Sequence, residues 1–174
     1  MSQTVTGVQA PAALGRIDGH TNYASQSFVV ASGVTINAGD FVYFTTGGTV
    51  TNATVNGARL VGMAEGTATG NATGTVTVLV CVDRNMRYLI KSTTALTISN
   101  GTVATDGIGT YYDITGTTGA QTVSYTGTTL GAFVLIAAPG MNGFPTTGLT
   151  GLPSGSYYGV FVLVNSFLNP YVAS

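Results

Sequence analysis

Hydrophobic and polar positions alternate in short steps along this chain. Val34 and Ile36 alternate with polar neighbours in 33–40, and Val50 to Val55 reads Val-Thr-Asn-Ala-Thr-Val. Thr75 to Val82 alternates at its start and then becomes wholly apolar. A two-residue period is that of a strand with one buried face, and a strand passing into a core loses its polar positions. The same reading predicts strands at Ser27–Ala31, Phe41–Phe44, Leu60–Ala64, Ala95–Ile98, Thr102–Ala104, Thr110–Ile114, Gln121–Tyr125, Leu130–Ala138 and Tyr157–Val164. Gly, Thr and Asn punctuate them, with turns at Ala38–Asp40, Thr45–Gly48, Ser99–Gly101, Thr115–Gly119 and Gly127, and an exposed hairpin loop over Gly66–Gly74. Short strands bounded in this way predict an all-β fold of small antiparallel barrel or sandwich units.

The pattern repeats at a spacing of roughly 70 residues. Asp40–Phe44 resembles Thr110–Ile114 as a short aromatic strand, and the turn Thr45–Gly48 corresponds to Thr115–Gly119. Arg59–Ala64 then matches Thr129–Val134, and the valine-rich strand Thr75–Val82 matches Gly159–Val164. Two related β units would produce this repeat, and so would regular turns in an all-β chain. Asp83–Lys91, the most charged piece, reads as a strand end or a single helical turn and as the junction between units. The expected organisation is an extended N-terminal arm at 1–19, a first β unit at 20–91 and a second at 92–174. The second unit carries a long loop at 139–156 and a C-terminal tail.

Composition narrows the function. Of 174 residues, 44% are hydrophobic, enough for a core, but only 6% are charged, against roughly 25% in ordinary globular domains. Thr and Val favour pleated, half-buried surfaces, while Gly and Asn supply turns. A surface made polar by hydroxyls and amides suits repeated contact with other protein, where a buried charge would need a partner. Extracellular and virion structural proteins commonly have this composition. The net charge is −1 and the five basic residues are Arg16, Arg59, Arg84, Arg87 and Lys91, which is no footprint for nucleic acid. The cluster Arg84, Arg87 and Lys91 is a solvated strand end, an intersubunit salt bridge or a contact with an acidic partner surface. The N-terminus lacks the charged and apolar regions of a secretory signal, and the apolar runs are shorter than a membrane helix needs.

Chemistry is sparse. His20 and Cys81 are each single, and a lone Cys in the apolar run Val78–Val82 reads as an inert core residue. No metal-ligating cluster and no cofactor motif is present. Asp18 and His20 lie two apart, which would matter only beside a nucleophile. The carboxylates Asp18, Asp40, Glu65, Asp83, Asp106 and Asp113 are scattered, mostly beside Gly or at strand ends where Asp forms turns. Tyr111, Tyr112, Tyr157 and Tyr158 are candidates for a sugar-stacking platform, or for core and interface packing. No catalytic, metal or cofactor-binding residue is expected, and the chain reads as a non-enzyme.

Several segments together resemble the structural cement, or head decoration, proteins of tailed bacteriophages. They are the arm Thr6–Gly15, the strand entry Ala38–Phe44, Gly62-Met-Ala-Glu-Gly66 and the hairpin Gly109–Val123. The resemblance covers most of the chain and is one of pattern and order. It implies a homotrimer on the outer capsid surface of the virion that bridges neighbouring major capsid protein subunits against the pressure of packaged DNA. It implies neither direct nucleic-acid binding nor a membrane. The expected contacts are Val5, Val8, Pro11, Leu14 and Ile17 on the arm, and Arg84 and Arg87 at the junction. Met141, Phe144, Leu149 and Leu152 on the loop and Phe167 and Tyr171 on the tail complete the set. The alternative is a carbohydrate- or receptor-binding module of a virion tail or surface appendage.

Overall fold

The computed structural model describes residues 10–54, 60–96, 98–99, 102–103, 108–125, 131–138, 141, 144 and 157–164. In chain order the strands are β1 (Ala12–Arg16), β2 (Ser25–Val29), β3 (Thr35–Ile36), β4 (Phe41–Phe44), β5 (Val50–Asn52), β6 (Leu60–Ala64), β7 (Ala68–Thr69) and β8 (Thr77–Cys81). They continue with β9 (Met86–Lys91), β10 (Ile98–Ser99), β11 (Thr102–Val103), β12 (Tyr111–Thr117), β13 (Ala120–Tyr125), β14 (Phe133–Ala137) and β15 (Tyr158–Leu163). A six-stranded sheet has the order β1-β9-β15-β14-β12-β13, and a five-stranded sheet the order β2-β8-β6-β4-β5. All neighbouring strands in both sheets run antiparallel. The ribbons β3-β7 and β10-β11 are two-stranded. The fold is all-β.

The strand order runs the same way in both sheets. A hairpin (β4–β5 or β12–β13) takes the next long strand (β6 or β14) on the far side of its first member. A fourth strand (β8 or β15) lies outside that, and an earlier strand (β2 or β9) lies outside the fourth. Just after β2 and just after β9, single parallel bridges reach the hairpins: Val30 to Val50 and Ser92 to Val123. Ala31 N donates to Val50 O at 2.9 Å, and Thr93 N donates to Val123 O at 2.8 Å. The stretches that share a pattern in sequence therefore contribute topologically equivalent strands: β4 with β12, β6 with β14, β8 with β15.

Sheet membership departs from the expected organisation. β9 lies within the stretch 20–91 but pairs with β15, and β1 pairs with β9. The six-stranded sheet therefore gathers strands from 12–16, 86–91 and the second half of the chain. Ala12–Arg16 is thus not an extended arm but an edge strand, because β9 supplies its backbone partners and Ala13 packs on the core. Asp83–Lys91 is neither a strand end nor a helical turn throughout. It turns at Arg84 and Asn85 and then forms β9. Thr115–Thr117 belongs to β12 rather than to a turn, and Gly66–Gly74 contains β7, paired with β3.

The main core lies between the sheets. Phe41, Met63 and Cys81 of the five-stranded sheet meet Tyr88, Tyr112, Phe133 and Phe161 of the six-stranded one. Phe41 sits edge-on to Tyr88 at 5.0 Å and to Phe133 at 4.7 Å, a favoured aromatic geometry. Alternation turns Val42 the opposite way, into a second cluster with Val30, Ile36, Val50, Val61, Val78 and Val80. The five-stranded sheet is therefore buried on both faces at its centre, which is why Leu60–Ala64 is apolar without interruption and wholly buried. Gly62 is required within it, since a Cβ there would collide with the Cys81 carbonyl of β8.

Two buried polar side chains join the sheets. Gln121 of β13 is fully buried; its Nε2 donates to Phe41 O at 3.0 Å and Ala53 O at 2.6 Å, and its Oε1 accepts from Phe41 N at 2.6 Å. Asp40, also buried, accepts from Gly119 N at 2.7 Å and Asn37 N at 2.8 Å. Burial pushes the Asp40 carboxyl above its ordinary range, and these two amide hydrogen bonds oppose the shift. Gln121→Leu removes one amide and strands two buried backbone groups, Phe41 N and Ala53 O, while Phe41 O keeps the Ala53 N–H, so it is expected to destabilise the fold by about 3 kcal/mol. Chemical denaturation checks this; an unchanged midpoint would show that the clamp contributes nothing net.

Candidate interaction surface

The corner between β8 and β9 gathers most of the described ionic chemistry. Arg16, at the end of β1, donates from Nε to Asp18 at 2.9 and 3.2 Å and from Nη2 to Asp18 at 2.6 Å. Its Nη1 donates to Asp83. Asp83 is buried and also accepts from Ala24 N at 3.3 Å and Asn85 N at 2.8 Å. This one carboxylate thus ties together β1, the entry to β2 and the β8–β9 turn. The hydrogen bond from Arg16 holds the exposed Asp18 carboxyl well below the ordinary carboxylate range, and its partner guanidinium is raised in turn. Asp18 and His20 meet only through the His20 backbone N–H, at 3.1 Å, so they form no base and orienting acid. Asp18 and Asp83 converge on one arginine.

Around this corner stand four of the residues expected at an interface. Ile17 is 56% exposed and its N–H donates to Asn85 O at 2.7 Å. Arg84 is exposed on the same turn, and Arg87 is half-buried with Nε directed at Gly15 O at 3.5 Å. Leu14 is half-buried at the β1 bulge between Ala13 and Gly15. The other expected residues are placed differently. Pro11 is buried, with its carbonyl against Gly39. Met141 is half-buried and packs on the main core. Phe144 is half-buried, its N–H donating to Met141 O at 3.2 Å. Val5, Val8, Leu149, Leu152, Phe167 and Tyr171 lie outside the described residues.

The structure adds a feature that the sequence did not single out. A cleft of about 330 Å³ opens at the seam between the sheets, below Tyr23 and Glu65. Its walls are Pro11, Ala12 and Ala13 at β1, Ala38 and Gly39 at the turn, and Met63, Ala64, Cys81 and Met86. Tyr23 is 47% exposed, and Ser25 Oγ donates to Glu65 Oε1. Glu65 is the only glutamate in the chain and directly follows the buried β6, which was the available signal. Cys81 is buried, and burial raises its thiol.

The tyrosine pairs do not assemble a platform. Tyr112 is fully buried and Tyr158 is 4% exposed, while Tyr157 next to it is exposed. Among the described residues, no three of His, Cys, Asp or Glu come together, and no helix is long and apolar enough to cross a membrane. No protein-family model matches the chain, and neither does any curated protein sequence.

Two titrations test these assignments. The Glu65 carboxylate, ahead of burial, raises the Tyr23 phenol above its ordinary value of 10.0. Glu65→Gln is therefore expected to bring Tyr23 back down, read from its ring signals by NMR; an unmoved titration would separate the two residues. Asp18 has a depressed folded-state value, so its contribution is complete above the ordinary carboxylate pKa of about 3.9 and is lost as pH falls toward the folded value. Asp18→Asn should therefore lower stability slightly at neutral pH, by the small amount expected of an exposed pair, and converge with wild type in acid, flattening the acid limb of the stability curve.

Proposed function

We propose that this chain is a structural cement or head decoration protein of a tailed bacteriophage, acting by contact rather than by turnover. On this reading it sits as a homotrimer on the outer capsid surface and bridges neighbouring major capsid subunits against internal DNA pressure. The observation that carries it is the corner at Asp83. Large apolar side chains, Ile17 and Tyr23, stand exposed there on a body in which only 6% of residues are charged. Arg16 is spent within the fold, on Asp18 and Asp83. Such a surface favours burial against protein over free exposure.

The two sheets are read as related β units, each tending toward a small barrel through its parallel bridge. The segment with Val5 and Val8, the loop with Leu149 and Leu152, and the tail with Phe167 and Tyr171 are assigned to the same contacts. Apolar burial is worth about 25 cal/mol per Å². A seam of several hundred Å² then contributes several kcal/mol per copy before association costs, and the shell repeats it.

The decisive experiment is co-sedimentation of the purified protein with expanded capsids of the parent phage. Saturable binding and greater resistance of those capsids to heat are expected. Removing residues 1–9 preserves β1 and should lower occupancy at least several-fold. Absence of capsid binding, with glycan binding by the isolated protein instead, would overturn the proposal in favour of a receptor-binding module.

A further inference from the structure

The cleft beneath Tyr23 and Glu65 has the composition of a receptor for one kind of side chain. Its lining is largely apolar and pliable, with Met63 and Met86 among Ala12, Ala13 and Ala64. At its rim lies a carboxylate with one oxygen occupied by the Ser25 hydroxyl, beside a half-exposed aromatic ring. Among the described residues, the ion pairs are those of Arg16 with Asp18 and Asp83. Arg87 is directed at Gly15 O, and Lys91 stands at the opposite end of β9 from the Asp83 corner. Neither ion pair of Arg16 involves Glu65, whose side chain accepts from the Ser25 hydroxyl.

Ligand classes can be sorted by charge. An anion entering the cleft meets the Glu65 carboxylate and is repelled. A neutral apolar group strips water from that carboxylate and returns no hydrogen bond. A long aliphatic stem ending in a cation satisfies both halves at once. The stem lies along the methionines and alanines, and the head reaches Glu65 in a charge-assisted hydrogen bond with the Tyr23 ring alongside. We propose that this cleft receives an arginine or lysine side chain presented by a partner protein. The identity of that partner rests on the capsid reading; the chemistry of the cleft does not.

The test uses n-butylguanidinium chloride as probe, the full chain, and the methionine methyl signals of Met63 and Met86 by NMR. Saturable shifts at both methyls are expected, with affinity reduced about tenfold in Glu65→Gln, the loss of one charge-assisted hydrogen bond. Ser25→Ala, which frees one carboxylate oxygen, should not weaken binding. n-Pentanol should bind weakly and alike in wild type and Glu65→Gln. Absence of saturable shifts at Met63 and Met86, or equal probe affinity in Glu65→Gln, overturns the proposal. The two readings fail separately. Probe binding without capsid recruitment leaves the cleft standing and removes the decoration role. Capsid recruitment with no probe response does the reverse.

Discussion

Everything in this molecule turns on how the two sheets are held face to face, and one amide does most of that at the backbone level. Gln121 presents a donor and an acceptor to the N–H and C=O of Phe41 and a second donor bond to Ala53. A primary amide can do this because it has the same donor and acceptor pattern as a peptide group. It therefore stands in for a strand that is not there. Phe41, fixed by this contact, carries the ring that packs on both Tyr88 and Phe133. The polar clamp and the aromatic core are thus one device: the amide sets the register, and the rings exclude the water that would compete for it.

Edges receive the opposite treatment. β1 borders the six-stranded sheet, yet it is poorly suited to continuing that sheet into another molecule. Pro11 just ahead of it lacks an N–H, Gly15 at φ 97° marks a shift in register, and Arg16 closes it with charge. Each of these blunts strand pairing. A chain with so few charges on its surface needs such protection more than most, since repulsion between copies does little to keep them apart.

Much of the architecture was legible in the residues themselves. β4 and β6 fall at the limits expected, because short apolar runs between Gly, Thr and Asp leave little choice of boundary. β12 extends further than expected because Thr-Gly-Thr at 115–117 has the composition of a turn. Gly116 is there for a different reason: opposite Gln121, a Cβ would lie 2.7 Å from the Ala120 carbonyl. In β9 the inward alternation of Met86, Tyr88 and Ile90 was obscured by Arg87 and Lys91 on the other face. β1 hid its period behind the bulge. The clamp could not be read at all, since Gln121 and Phe41 are 80 residues apart and nothing local distinguishes a buried Gln from a surface one. The cleft was hidden for the same reason: Tyr23 and Glu65 come together only through the pairing of β2, β8 and β6.

The placement of β15 has a consequence for how the molecule is made. It is not an edge strand but lies inside its sheet, between β9 and β14. β9 has β1 on one edge, but its other edge must wait for a partner that lies roughly 70 residues downstream, a long loop to close. The strands of the five-stranded sheet, by contrast, all come from 25–81 and can pair as soon as they leave the ribosome. During synthesis one half of the molecule is therefore ready to form while one edge of β9 stays unpaired and Phe41 lacks its Phe133 contact. Late-arriving topology of this kind slows maturation and lengthens exposure to wrong partners.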